Sequence, residues 1–127
     1  MNAARRYVSA QKETASPERL MLLLFETALR HMRAGSTLLE AGRSAEANAP
    51  LSKAAEIVNY LAATFDAKAA PKLAENLGAV YRFVATRLIS GNLGHDASLV
   101  REAEQVFAPI AEAFSTAVGQ LPAAGAR

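Results

Sequence analysis

The chain has 127 residues, 51% hydrophobic and 20% charged, with a formal net charge of +2 and no cysteine. That length suits one domain with one core, and the missing cysteines exclude a disulfide framework and any thiolate metal site. The fourteen basic residues are scattered among carboxylates rather than set in a stripe, which argues against a nucleic-acid partner.

Alanine is the commonest residue and aromatics make up only 6% of the chain. Alanine enters a helix without losing side-chain entropy, so the composition favours helices. Residues 1–15 form a polar lead-in without periodicity. Arg5 and Arg6 are not followed by the apolar stretch of about 7–15 residues that a signal peptide carries. The longest run of large apolar residues, 20–25, is far short of the ~20 residues of a membrane span. The expectation is a soluble cytoplasmic protein with no direct membrane insertion.

The first helix is expected from Ser16-Pro17-Glu18, where serine caps free N–H groups, proline fits the first turn and glutamate meets the positive end of the dipole. It should run to about residue 41 and stop at Gly42, with Gly35 as an internal weak point. The second begins between Ser44 and Pro50 and ends near Phe65. Its apolar stripe is Leu51, Ala54, Val58, Leu61 and Phe65, widened by Ala55 and Ile57. Residues 66–70 connect it to the third, which opens at Pro71 and closes near Gly91. Leu73, Leu77, Val80, Val84 and Leu88 make that stripe, with Tyr81 beside it. The fourth starts after Asp96 as N-cap. Leu99, Ala103, Val106, Ile110, Ala113 and Ala117 form its stripe, flanked by Phe107 and Phe114, and Pro109 is expected to kink it. The short connections predict an all-α, antiparallel up-down four-helix bundle over residues 16–120. A short N-terminal segment precedes it, and residues 121–127 form a flexible tail.

Catalytic constellations are not seen. His31 and His95 lie on different elements, and neither has the partners of a HExxH or ExxH metal pattern. His31 is expected at a boundary and His95 in a turn. The glycines form no phosphate loop, and Glu102, Glu104 and Glu112 read as a solvated face. The reading is therefore a protein with no catalytic, cofactor or metal site. One feature exceeds that reading. Residues 20–25 are consecutive large apolar side chains and cover the whole helix circumference, where a bundle helix needs about three in seven. They make either a central buried helix or dimer contact, or surplus apolar surface for a partner.

Tyr7, then TASPERLMLLLFE at residues 14–26, is similar to the opening of the flagellar secretion chaperone family FliS. Leu51-Ser52-Lys53-Ala54 leading into Glu56-Ile57-Val58 resembles that family's second-helix segment. NLGAVYRFVATRLISGNLGHD at residues 76–96 resembles its third helix, and residues 106–114 stand where its closing segment falls. Phe25-Glu26 replaces the commoner Tyr-Asp, and Phe114 the usual tryptophan. The resemblance implies an antiparallel helical bundle without cofactor or catalysis. It also implies a client, the disordered C-terminal segment of flagellin, kept from premature polymerisation and delivered to a membrane protein of the type III export gate. The residues expected to carry partner binding are Tyr7, Leu20, Leu23, Leu24, Ile57, Leu61, Leu77, Tyr81 and Val84, with core and groove positions not separable by pattern alone. Tyr7 is read as part of a movable lid over the partner groove. The alternatives are a generic four-helix adaptor or weak homodimer, and an enzyme or metal carrier built on a helical bundle.

Overall fold

The computed structural model describes residues 16–64 and 71–120, with the backbone alone described at 71–74. Tyr7, the rest of the lead-in, Phe65, the 66–70 connection and the 121–127 tail lie outside the described residues. Four helices occupy the described chain: α1 (Pro17–Glu40), α2 (Ser44–Thr64), α3 (Pro71–Gly94) and α4 (Ala97–Gly119).

The boundaries follow from local chemistry. Ser16 caps α1 by accepting a hydrogen bond from Arg19 N–H, with Pro17 in the first turn. The far end of α1 closes on Gly42, whose φ is 76°. The Gly42 N–H donates to Leu39 and the Arg43 N–H to Leu38, which satisfies two carbonyls that the helix end would otherwise leave open. α3 does not stop at Gly91. It runs one turn further and closes the same way around His95, at φ 53°, with Asp96 N–H donating to the Gly91 carbonyl at 2.8 Å. Asp96 then caps α4, its carboxylate accepting from both the N–H and the hydroxyl of Ser98. Both Pro50 and Pro109 lie inside helices that continue through them.

Each helix packs on two neighbours: α1 on α2 and α4, and α3 on α2 and α4. Side-chain pairs fix the directions. Gly35 near the end of α1 meets Leu51 near the start of α2. Asn92 near the end of α3 hydrogen-bonds Asn48 near the start of α2 at 2.9 Å. Gly91 meets Val100 at the start of α4. Arg33 of α1 pairs with Glu104 of α4 at 2.9 Å, and Glu40 with Arg101. All four contacts are antiparallel, so the molecule is an up-down four-helix bundle.

Two glycines act as packing sites rather than stops. A Cβ at Gly35 would overlap the Leu51 side chain, 2.5 Å from its Cγ. A Cβ at Gly91 would lie 2.8 Å from Val100 Cγ2. Both let neighbouring helices approach closely, which is why glycine is kept inside helices it otherwise weakens.

The core face of α4 differs from the expected stripe. Val100, Ala103, Phe107, Ala111 and Val118 are buried, whereas Leu99, Val106 and Ile110 are half-buried and Ala113 and Ala117 exposed. The helix is turned by about one residue, roughly 100°. Phe107 carries more apolar area than any member of the expected stripe, and its burial sets the rotation. Phe25 of α1 stacks between it and Phe114, at ring-centroid distances of 5.5 and 5.1 Å.

Candidate functional site

The two ends of the bundle are built differently. At one end the α1–α2 and α3–α4 turns tie the helices together. Arg33–Glu104, Glu40–Arg101 and Arg87–Glu102 add ion pairs there, of the exposed kind that contributes little individually. At the other end lie the N-terminal halves of α1 and α3 and the C-terminal halves of α2 and α4.

An apolar cleft of about 330 Å³ opens at that second end. Met21 and Phe25 of α1, Leu61 of α2 and Leu77 and Tyr81 of α3 line it. Four residues of α4 complete it: Ile110, Ala113, Phe114 and Ala117. Among the described residues, no lining side chain is charged. Burial pushes the Tyr81 phenol above its ordinary pKa, so it stays neutral. Met21, Leu77, Ile110 and Phe114 are half-buried, so the lining reaches the surface. The volume lies at the lower end of the range of ligand pockets, about 300–1,000 Å³. Its walls are parallel helix flanks, the geometry that takes the apolar face of another helix.

The sequence-predicted binding residues fall into four groups. Leu61, Leu77 and Tyr81 line the cleft. Leu24, Ile57 and Val84 are 1%, 0% and 0% exposed and lie in the core, which separates them from the groove positions that the pattern left undivided. Leu20 and Leu23 are half-buried on α1 and lie off the cleft. Their neighbours Met21 and Phe25, one turn apart on a single flank, take the place expected for them. Tyr7 lies outside the described residues. Sequence reasoning missed Met21, Phe25, Ile110, Ala113, Phe114 and Ala117 as cleft residues. The 110, 113, 117 spacing was visible in α4 but read as core, because the register of that helix was taken one residue too early.

Among the described residues no group of His, Asp and Glu side chains is placed to hold a metal, and no helix is long and apolar enough to cross a membrane. His31 is half-buried in α1 and His95 exposed in the α3–α4 turn, more than sixty positions along the chain.

Among the described residues the molecule is a helical bundle with an apolar cleft near one end, the architecture of an all-α protein without a built catalytic centre. Sequence comparison gives the family. The model of the flagellar protein FliS matches residues 1–121, and the chain belongs to the FliS family. The flagellar secretion chaperone FliS of Salmonella typhimurium is 34% identical over 102 residues, covering 80% of this chain and 76% of the relative. That of Escherichia coli is 31% identical over 102 residues, 80% and 75% of the two chains. The Bacillus subtilis protein of the same name is 26% identical over 112 residues, 88% and 83%. The family is one of export chaperones, which is not an enzyme class.

Proposed function

We propose that the cleft receives an amphipathic helix from the C-terminal segment of flagellin. In this reading the chaperone holds that segment in the cytoplasm, prevents premature polymerisation, and delivers it to the flagellar type III export gate, where contact with the gate's membrane protein is transient. The observation that carries the reading is a cleft lined from all four helices with no charged side chain among the described residues. Unassembled helices expose apolar faces, and the cleft offers temporary cover. An unfolded client loses entropy on ordering, so affinity per buried area is moderate and release remains accessible. Membership of the FliS family and the names of its relatives support an exported flagellar client.

The test is calorimetry of the full chain with intact flagellin and with flagellin lacking its C-terminal segment. The expected result is one-to-one binding to the intact protein with a negative heat-capacity change, the mark of apolar burial, and no binding to the truncated one. Equal binding to both would overturn the reading.

Self-association is a second reading with its own observation. Ile89 and Leu93 of α3 are 50% and 79% exposed and flank a groove of about 310 Å³ over Leu51 and Ala55 of α2. Two such side chains bury far less than the roughly 1,200 Å² of a stable interface, so any homodimer through this face is weak. Sedimentation at two concentrations measures it.

A further inference from the structure

One flank of the bundle carries buried polar atoms that no hydrogen bond satisfies. Thr27 of α1 is fully buried, and its Oγ1 has no hydrogen-bond partner among the described residues. One turn further, on the same flank, His31 is half-buried, and its Nε2 is shut from solvent without a partner among the described residues. This flank packs on α2, where Gly35 and Leu51 bring the two backbones close. Lys53 stands on α2 and Arg30 on α1, whereas Glu56 of α2 lines the groove against α3. The charges that act on the ring are Lys53 and Arg30, both positive. α4 packs on the opposite flank of α1, through Phe25 and Arg33.

We propose that the α1–α2 seam is an acid-sensitive latch, closed while the His31 imidazole is neutral and loosened when it takes up a proton. A proton from solvent converts the ring to an imidazolium, in which both nitrogens are donors. In the closed seam Nε2 then holds an N–H with no acceptor, beside two like charges. A buried N–H donor without an acceptor costs stability, and the two like charges add to that cost. Thr27 already leaves this seam one hydrogen bond short. The arrangement is independent of what the cleft binds.

The direction of the pH effect follows. Burial first, then Lys53, then Arg30, holds the folded-state pKa of His31 below its ordinary 6.5. Below about pH 6.5 the unfolded chain therefore binds more protons at this site than the folded one. Stability conferred by a neutral His31 is fully present above pH 6.5 and is lost as pH falls from there through the lower folded pKa.

Urea unfolding of the wild type and of His31→Gln at pH 7.5 and 5.5 tests this, since carboxylate titrations common to both cancel in the comparison. Between those pH values the folding constant of the wild type should fall by an extra factor of about two to ten. The ceiling is about tenfold for a group of unfolded pKa 6.5 taken from pH 7.5 to 5.5. Equal falls would overturn the proposal. NMR titration of the wild-type imidazoles gives a second measurement that does not depend on a variant folding, with His95 as the other histidine signal. The His31 ring should titrate below 6.5, and amide exchange along α1 and α2 should quicken on acidification beyond its intrinsic change. Titration at or above 6.5 would overturn the latch.

Discussion

At single residues, the bundle depends on atoms that are absent as much as on those present. A methyl group at position 35 would improve helix propensity by about 1 kcal/mol. It would also collide with the side chain of Leu51, which is fully buried. Overpacking costs of about 1–3 kcal/mol are typical, so the collision wins. Gly35→Ala should destabilise the protein by up to about 2 kcal/mol in urea unfolding. The loss should shrink in a Leu51→Ala background, because the two changes share one contact. Simple additivity in that double-mutant cycle would show that the cost lies elsewhere. The clash was invisible in the sequence: Gly35 was legible only as a weak helix position, since its partner sixteen residues away becomes adjacent only after α2 folds back.

At the scale of elements, the helix ends are where local chemistry and tertiary structure agree best. Ser16, Pro17, Gly42 and Asp96 do what their residue types predict. The α3–α4 turn departs, because His95 occupies a left-handed position usually given to glycine. Relief of that conformation is worth about 1–2 kcal/mol, and the unfolded-state entropy of glycine takes back about 0.5–1. His95→Gly should therefore stabilise the chain by about 0.5–1 kcal/mol, read as a higher urea midpoint. The neighbouring cap has a pH signature. The Ser98 hydroxyl, donating to the Asp96 carboxylate, is the main cause holding its pKa below the ordinary range. The stabilisation from the cap is thus present above the usual carboxylate pKa and lost as pH falls through the lower folded value. Asp96→Ala should lower the urea midpoint at pH 7, and the gap from wild type should close in strong acid. A gap that persists below the folded pKa would mean that the charge of Asp96 is not what caps α4. The register of α4 was the element-level feature that the sequence left ambiguous. Apolar residues stand at both 99, 103, 106, 110 and 100, 103, 107, 111, and periodicity alone does not choose between two overlapping stripes. Packing chooses, by seating Phe107 against Phe25, and that choice turns Ile110, Ala113 and Ala117 out of the core and into the cleft.

Across the whole molecule, the contrast between its two ends makes the cleft testable without breaking the bundle. Ion pairs and short turns hold one end, so a charge introduced at the other end leaves the closed end untouched. Ala113 and Ala117 line the cleft and are exposed. Exposed helix substitutions away from special features typically change stability by no more than about 0.5 kcal/mol. Ala117 lies in the last turn of α4, where the negative end of the helix dipole favours a cation. Ala117→Lys should therefore fold as well as the wild type, with an unchanged helical spectrum and urea midpoint. A client helix seated in the cleft would have to desolvate that ammonium against Phe114 and Ile110, neither of which can accept a hydrogen bond. Flagellin affinity should then fall at least about tenfold, equivalent to about 1.4 kcal/mol. Ala113→Glu should do the same with the opposite charge, which separates loss of apolar cover from a change in long-range attraction. Thr116→Lys, exposed and one residue from the lining, places the same ammonium outside the cleft and should leave affinity within about twofold. If all three variants bind flagellin alike, the client does not use this cleft, and the apolar lining serves the bundle alone.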